Sequence, residues 1–573
     1  EAMKAAGMKM VILTVKHHDG FVLWQSRYTK HGIMSTDFQN GKGDILKSLS
    51  ASCKKYGLKL GVYLSPADLY QIESPDGLYG NLSKYTMRTI PRPVKGRPFK
   101  NKTSFQFMLD DYNEYFMNQL FEILTEYGDI HEVWFDGANG GDGWYGGAKD
   151  VRTIDRKNYY NYPRIYEILD SIQPQAVIFS DGGPGCRWVG NERGFAGATN
   201  WSFLRKGEVY PGYPKHYELQ YGHADGNQWV PAECDVSIRP GWFYHPEEDD
   251  RVKTPEQLVD LYYRSVGHNG TLLLNFPVDR NGLINPIDSA NAVKYYQIIQ
   301  QELKNNLVAG MKAKVSNERG GAYVASAMTD EDYDTYWATE DSVKTGDIEF
   351  SFSSPQRMNR MMLQEYIPLG QRVKAFTVEY KDKDGKWLPV RLNEETTTIG
   401  FETVVSDGIR IRITDARGPL CINNIGIYDA GQNADISYDV PTEKIESLPF
   451  TLTGVAEDDA KLAVDRNNQT TCFVNGNQLI IDLGEEKMIS SFHFLPDQSE
   501  PNKGLISNYE LAVGNTADQI NKVVKAGEFS NIRNNPVLQS VYFTPTITRY
   551  ISLKATRMVN DGEPMGFAEI AVK

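Results

Sequence analysis

The chain has 573 residues, 40% hydrophobic and 24% charged, with a formal net charge of −13. That length suggests three or four domains, and the composition excludes a wholly disordered chain. No uninterrupted apolar run approaches the ~20 residues of a membrane-spanning helix, and an acidic chain without a basic stripe argues against nucleic acid as a partner.

Residues 1–7 (EAMKAAG) read as the end of an amphipathic helix stopped by Gly7. The chain opens on Glu1, and we read no signal-peptide pattern in its first residues. Together these lead us to expect a truncated or processed chain, with part of the first domain missing ahead of it. Apolar runs then follow at 8–15, 58–65, 131–136, 175–181, 229–236 and 271–276. Helical patterns lie between them at 43–57, 109–127, 157–173, 254–267 and 287–306. Buried strands alternating with helices predict a parallel α/β sheet. Polar residues at or just after the strand ends (His17, His18 and Asp19, then Asp136, Asp181 and Glu233) are what a (β/α)₈ barrel presents at its catalytic rim. The pattern shows six strands where such a barrel has eight, which fits a missing N-terminal part.

After about residue 307 helical periodicity gives way to short alternating strands at 347–352, 374–380, 409–413 and 422–428. A second set follows at 478–483, 491–495, 508–513, 549–554 and 567–572. The two sets read as an internal repeat with an offset of about 135 residues, in which Asp334–Trp337 aligns with Gln469–Cys472. The predicted architecture is therefore multidomain: a (β/α)₈-type barrel over 1–306, then β-sandwiches over 307–438 and 439–573, with 429–445 as a polar linker. The five cysteines (53, 186, 234, 421 and 472) are too few and too scattered for a disulfide framework.

Four segments carry chemistry. In Lys16–Phe21 (KHHDGF), adjacent histidines on a strand would face opposite ways, so hydrogen bonding to substrate hydroxyls suits His17 and His18 better than a shared metal. In Glu132–Gly137 (EVWFDG), Asp136 follows a buried strand and would point into the barrel mouth. In Arg187–Gly194 (RWVGNERG), Glu192 sits in a Gly-flanked loop beside tryptophan, and an apolar neighbour raises a carboxyl pKa as a general acid requires. In Pro231–Tyr244, alternation would put Glu233 and Asp235 on one face, and Glu233 is the rival candidate for the acid. Two carboxyls in a site with histidine and tryptophan describe a glycosidase.

KHHDGF with Leu23-Trp24, GVYLSP at 61–66 and VWFDG at 133–137 resemble the α-L-fucosidases of glycoside hydrolase family 29. RWVGNERG, ECDVSIRPGWFYH at 233–245 and NGTLLLNFPVDRNGLI at 269–284 look like the α-1,3/1,4-specific branch. The resemblance covers 1–305. It implies retaining hydrolysis of terminal α-L-fucose from an oligosaccharide or glycoconjugate, with Asp136 as nucleophile and Glu192 as acid/base. Residues 139–157 look like an insertion that lengthens the gap between the two, so Glu233 stays the runner-up. Implied substrate contacts are His17, His18, Tyr63, Arg239 and Trp242, with Trp24 and Trp134 at the floor. The resemblance implies no catalytic cofactor or metal, and a periplasmic or secreted location.

The sandwiches resemble discoidin-like modules through AVDRNNQTTCF at 463–473, QLIIDLG at 478–484 and GFAEIAV at 566–572. Such modules imply a structural calcium and sugar binding. The tryptophan of the motif is kept as Trp337 in the first module and replaced by Cys472 in the second. Two other readings stay open: a non-catalytic, lectin-like fucose binder, and a barrel glycosidase with another sugar specificity.

Overall fold

The computed structural model describes residues 1–137, 152, 154–155, 157–391, 400–431, 446–529 and 531–573. Most of the expected insertion at 139–157 and of the linker at 429–445 lies outside these residues, as does the expected boundary at 438/439.

The first part is a seven-stranded parallel sheet whose strands lie side by side in chain order. They are β1 (Met10–Lys16), β2 (Lys59–Leu64), β3 (Glu132–Trp134), β4 (Val177–Ser180), β5 (Cys186–Trp188), β6 (Ala232–Ser237) and β7 (Gly270–Asn275). Helices α1 (Ile45–Tyr56), α2 (Asp111–Glu126), α3 (Tyr162–Ile172) and α4 (Pro255–Ser265) cross between strands, and α5 (Pro286–Glu302) follows the last. Parallel strands in unbroken chain order are barrel-type winding; a doubly wound sheet reverses its order partway.

The sequence pattern showed six of these strands and missed β5. Only residues 181–185 separate it from β4, and they include Gly182, Gly183 and Gly185, so the stretch reads as a turn. The register pairs Phe179 with Cys186, so the chain returns only a short way before pairing and needs no helix.

Side chains alternate across the sheet. Val62, Leu64, Val133, Phe135 and Ile178 pack outward against the helices, in one core with Leu46, Phe116, Leu120 and Ile168. Tyr63, Trp134, Phe179, Cys186 and Trp188 face inward in a second cluster. Helix α2 is buried continuously from Tyr112 to Leu124, which is why its amphipathic stripe is broad. Local caps fix the helix starts: Asp44 and Asp110 accept from the amides of Lys47 and Asn113, and Thr254 with Gln257 forms a reciprocal box.

Two sandwiches follow with one topology. The sequence suggested separate short strands, but each sandwich is built on long ones, Gly346–Glu365 and Gln478–Pro496. Each long strand changes partner along its length. Residues 346–358 pair with 404–413, and 360–365 with 422–428. In the second sandwich 478–494 pair with 539–554, and 492–496 with 567–572. The proposed repeat holds at residue level, since Trp337 pairs with Ile422 where Cys472 pairs with Phe567.

By contacts the chain divides into two units, Glu1–Gly190 with Gly194–Ile436, and Asn191–Arg193 with Ser437–Lys573. Within the first, Leu307 N–H donates to the Ile427 carbonyl (2.8 Å) and Ser202 N–H to Gln371 (3.0 Å). All five cysteines are free and buried. Among the described residues no helix is long and apolar enough to cross a membrane.

Candidate active site

The inner face ends, at the C-terminal strand ends, in a small cluster around Asp136. Its carboxylate follows β3 with a quarter of its side-chain surface exposed. The Tyr63 hydroxyl, from β2, donates to Asp136 Oδ2 at 2.7 Å. His18, just beyond β1, brings Nε2 to 3.6 Å from the same oxygen.

The protonation of His18 follows from its neighbours. Ser65 Oγ donates its only proton to the Ala67 carbonyl (2.8 Å), so it can only accept from His18 Nδ1, at 2.7 Å. Burial pushes the imidazole pKa down to about 4, against the pull of Asp136. A neutral ring protonated on Nδ1 presents Nε2 as an acceptor. Nε2 and Asp136 Oδ2, 3.6 Å apart, are then neighbouring acceptors suited to hydroxyl donors of a ligand.

Rings build the floor. Phe179 stacks on Trp134 (3.9 Å), Trp134 on Tyr63 (5.0 Å), and Tyr63 on His17 (5.6 Å). Burial also lowers the His17 pKa, with Asp136 and Asp19 pulling the other way. Lys16 turns inside and pairs with Asp68 (3.5 Å) and Gln119 (3.1 Å). Gly20 is required beside it: its φ is +76°, and a Cβ there would lie 2.3 Å from Asp68 Oδ1.

A second carboxyl stands next to Asp136. Asp181 follows β4, is buried, and accepts from the Gly212 amide (2.6 Å). Burial raises it to about 7, with the Asp136 charge adding. The sequence placed Asp181 at a strand end without giving it a role. A Cβ on Gly137 would lie 2.3 Å from Asp181 Oδ2, so Gly137 lets the two acidic strand ends approach.

The other expected residues divide. Trp134 lies in the inward-facing ring stack, with Nε1 donating to Glu233 at 3.0 Å. Glu233 and Asp235 do share one face, and Asp235 accepts from Trp188 Nε1 at 2.8 Å. Both are buried inside the sheet rather than at the rim. Trp24 differs from expectation. It is 1% exposed, packed in the helix-side core with Nε1 on Glu122 (3.1 Å), and so offers no face to a ligand. Arg239 differs too: it is fully buried, with Nε and Nη2 each 2.8 Å from Asp288 and Nη2 2.8 Å from Asp249. It anchors the loop after β6, in which Trp242 is half-buried and its carbonyl accepts from Asn275 (3.1 Å). Glu192 belongs to the second unit, where its amide donates to the Asn534 carbonyl (3.0 Å) and its carboxylate accepts from the side chains of Asn531 and Asn534.

Two groups among the described residues have metal-ligand composition, Glu132/Cys186/Glu233 and Glu208/Glu218/His223. In the second, His223 Nδ1 accepts from the Arg205 amide (3.0 Å), which leaves the proton on Nε2, 3.4 Å from Glu218, and removes the lone pair a metal would need.

Comparison with known proteins shows the family. The α-L-fucosidase family profile matches residues 1–295, and the F5/8 type C domain profile matches 312–426 and 453–570. Alpha-L-fucosidase 1 of Arabidopsis thaliana is 34% identical over 436 residues, 74% of this chain and 76% of that protein. A crystal structure of a glycoside hydrolase 29 family member from an unknown rumen bacterium is 34% identical, covers 100% of this chain and 89% of its own, and superposes with a TM-score of 0.60. A Ruminococcus gnavus GH29 fucosidase in complex with fucose is 29% identical over 76% of this chain and 85% of its own, with a TM-score of 0.60. The chain belongs to the α-L-fucosidase family: it is an α-L-fucosidase, a glycoside hydrolase, with F5/8 type C β-sandwich domains after its barrel-like domain.

Proposed function

We propose that the enzyme is a retaining exo-fucosidase that releases terminal α-1,3/1,4-linked L-fucose from branched glycans such as Lewis-type structures. The observation that carries this is the Asp136 carboxylate, oriented by Tyr63 at 2.7 Å and facing the Nε2 acceptor of a neutral His18 at 3.6 Å. An ionised Asp136 attacks the anomeric carbon as the glycosidic bond breaks, and Glu192 gives its proton to the departing oxygen. Glu192 then takes a proton from water, whose oxygen displaces Asp136 and leaves fucose with its α configuration. His17 and His18 hold fucose hydroxyls, with Tyr63, Trp134 and Trp242 lining the apolar side of the sugar. Glu233, buried and occupied by Trp134, is less suited to the acid role than Glu192. The substrate class places the work where complex glycans are met, in the periplasm or outside the cell.

The test is NMR of fucose release from Lewis a or Lewis x trisaccharide. The α-anomer appearing first, abolished in Asp136→Asn and strongly reduced in Glu192→Gln, is the expected result. The β-anomer first, or an intact trisaccharide alongside a cleaved aryl fucoside, would overturn the mechanism or the linkage respectively.

A structural calcium in the second sandwich is part of the same proposal. Glu569 Oε1 is buried with no hydrogen-bond partner, and Asp465 lies beside it and raises its pKa after burial itself. An orphaned carboxylate oxygen next to a second carboxylate fits a hard divalent cation. In the first sandwich the strand register puts Asn424 at this position, so the second is the better host. Chelation should lower the melting temperature of the second sandwich in the wild type and leave Glu569→Gln unchanged. Equal melting with and without chelator would exclude the ion.

A further inference from the structure

The chemistry above leaves a buried acidic pair unused. Glu132 on β3 and Glu233 on β6 both point inward, and each is 3% exposed. Their carboxylate oxygens and Cys186 Sγ lie within 4.8 Å of one another. Among the described residues neither carboxyl is paired with a lysine or arginine, and Glu132 Oε1 is buried without a hydrogen-bond partner. Two uncompensated anions this close in a dry interior would repel strongly, so the pair must keep a proton. Burial raises both groups, and the Glu233 charge raises Glu132 further, so Glu132 carries the proton and donates it toward Glu233. That leaves one negative charge on the pair. Glu233 offers it to Trp134 Nε1, a charge-assisted bond of 3.0 Å.

Trp134 is the middle ring of the floor. It lies parallel to Phe179 (8° between planes) and close to parallel with Tyr63 (21°). Tyr63 in turn holds the nucleophile through its hydroxyl. We propose that Glu132 and Glu233 are positioning residues: a pair sharing one proton, which fixes the tilt of Trp134 and through Tyr63 the place of the Asp136 carboxylate. The inference rests on the reading of Asp136 as nucleophile.

Cys186 makes a thiophilic metal the competing use of this cluster. Burial and the two neighbouring carboxyls push its thiol well up, which keeps it protonated, and the Trp134 N–H already occupies one of the oxygens. The shared proton satisfies the pair without an ion.

The experiment uses the full chain and an aryl α-L-fucoside, with kcat and KM measured separately. Glu132→Leu removes the proton donor and should lower kcat roughly 10–100-fold with KM within about threefold, because a misplaced nucleophile slows the chemistry more than binding. Glu132→Gln restores a hydrogen of the same shape and should recover at least about tenfold of that loss. Glu233→Leu and Trp134→Phe should each lower kcat, and the double variant should be no slower than the slower single one. Circular dichroism checks folding. If the leucine variants do not fold, the isosteric Glu132→Gln/Glu233→Gln pair, which deletes the charge, replaces them: it should slow the wild-type background and leave the Trp134→Phe background unchanged.

Multiplying effects of the Glu233 and Trp134 changes, no recovery by Glu132→Gln, or zinc retained stoichiometrically by the purified protein would overturn the proposal. Asp136→Asn run in parallel separates this from the mechanism itself. If that variant keeps full turnover, the nucleophile assignment fails whatever the cycle shows.

Discussion

Replacing Tyr63 with phenylalanine isolates one contact, because it removes a hydroxyl and keeps the ring stacked between Trp134 and His17. That hydroxyl donates to Asp136 Oδ2 at 2.7 Å. A hydrogen bond to a charged group contributes about 1.5–3 kcal/mol, and about 1.4 kcal/mol is tenfold in rate. A quarter of the Asp136 side-chain surface is exposed, so water replaces part of the lost donor and the low end of that range, about 1.5 kcal/mol, is what remains. The hydroxyl holds the carboxylate in one place, and a displaced nucleophile slows the chemical step more than it weakens binding. In Tyr63→Phe kcat should therefore fall about tenfold, with KM within about threefold. The assay is kcat and KM for an aryl α-L-fucoside, measured separately. A raised KM with kcat unchanged would show that Tyr63 acts on the sugar, and an unchanged kcat and KM would refute the role of the hydrogen bond.

Two further outcomes follow from buried charge. Asp181 is raised from 3.8 to about 7 by burial. The folded state therefore holds its proton more tightly, and up to about 4 kcal/mol of stability is present at low pH and lost as pH climbs from ~4 to 7. Asp181→Asn keeps an acceptor for Gly212 and lacks this loss, so its melting temperature should gain on the wild type between pH 4 and 8; a constant difference would refute the assignment. Arg239→Leu leaves Asp288 buried without its cation and should cost about 3–5 kcal/mol in denaturant unfolding. A cost under ~1 kcal/mol would return Arg239 to the substrate-facing role first expected of it.

What could be read from the sequence was what local pattern encodes. VWFD runs a buried strand into an acidic end, so the rim position of Asp136 was visible, while the place of Trp134 came from the family resemblance. The period-2 rule likewise put Glu233 and Asp235 on one face. Pairings made by the fold were not visible. Tyr63 reaches Asp136 across 73 residues, Trp24 reaches Glu122 across 98, and Arg239 reaches Asp288 across 49. The family resemblance made Trp24 and Arg239 look like ligand-facing residues, whereas each is used up by a buried carboxylate. Glu132 was overlooked because it opens its strand, at the end away from the rim. The long sandwich strands were read as fragments because a strand that changes partner interrupts its own alternation where it bends.

The chain-order sheet separates two kinds of inheritance. His18, Tyr63, Asp136 and Asp181 come from the ends or last turns of four successive strands, each fixed by the ladder beneath it. Apart from short returns such as Leu23 N–H on the Val15 carbonyl, the segments that leave those ends lie outside that ladder. They can lengthen, shorten or change composition while the reacting groups stay in register. Selection on which glycan is accepted can therefore act on the connecting segments, while selection on bond cleavage acts on a few strand residues, with little interference between the two.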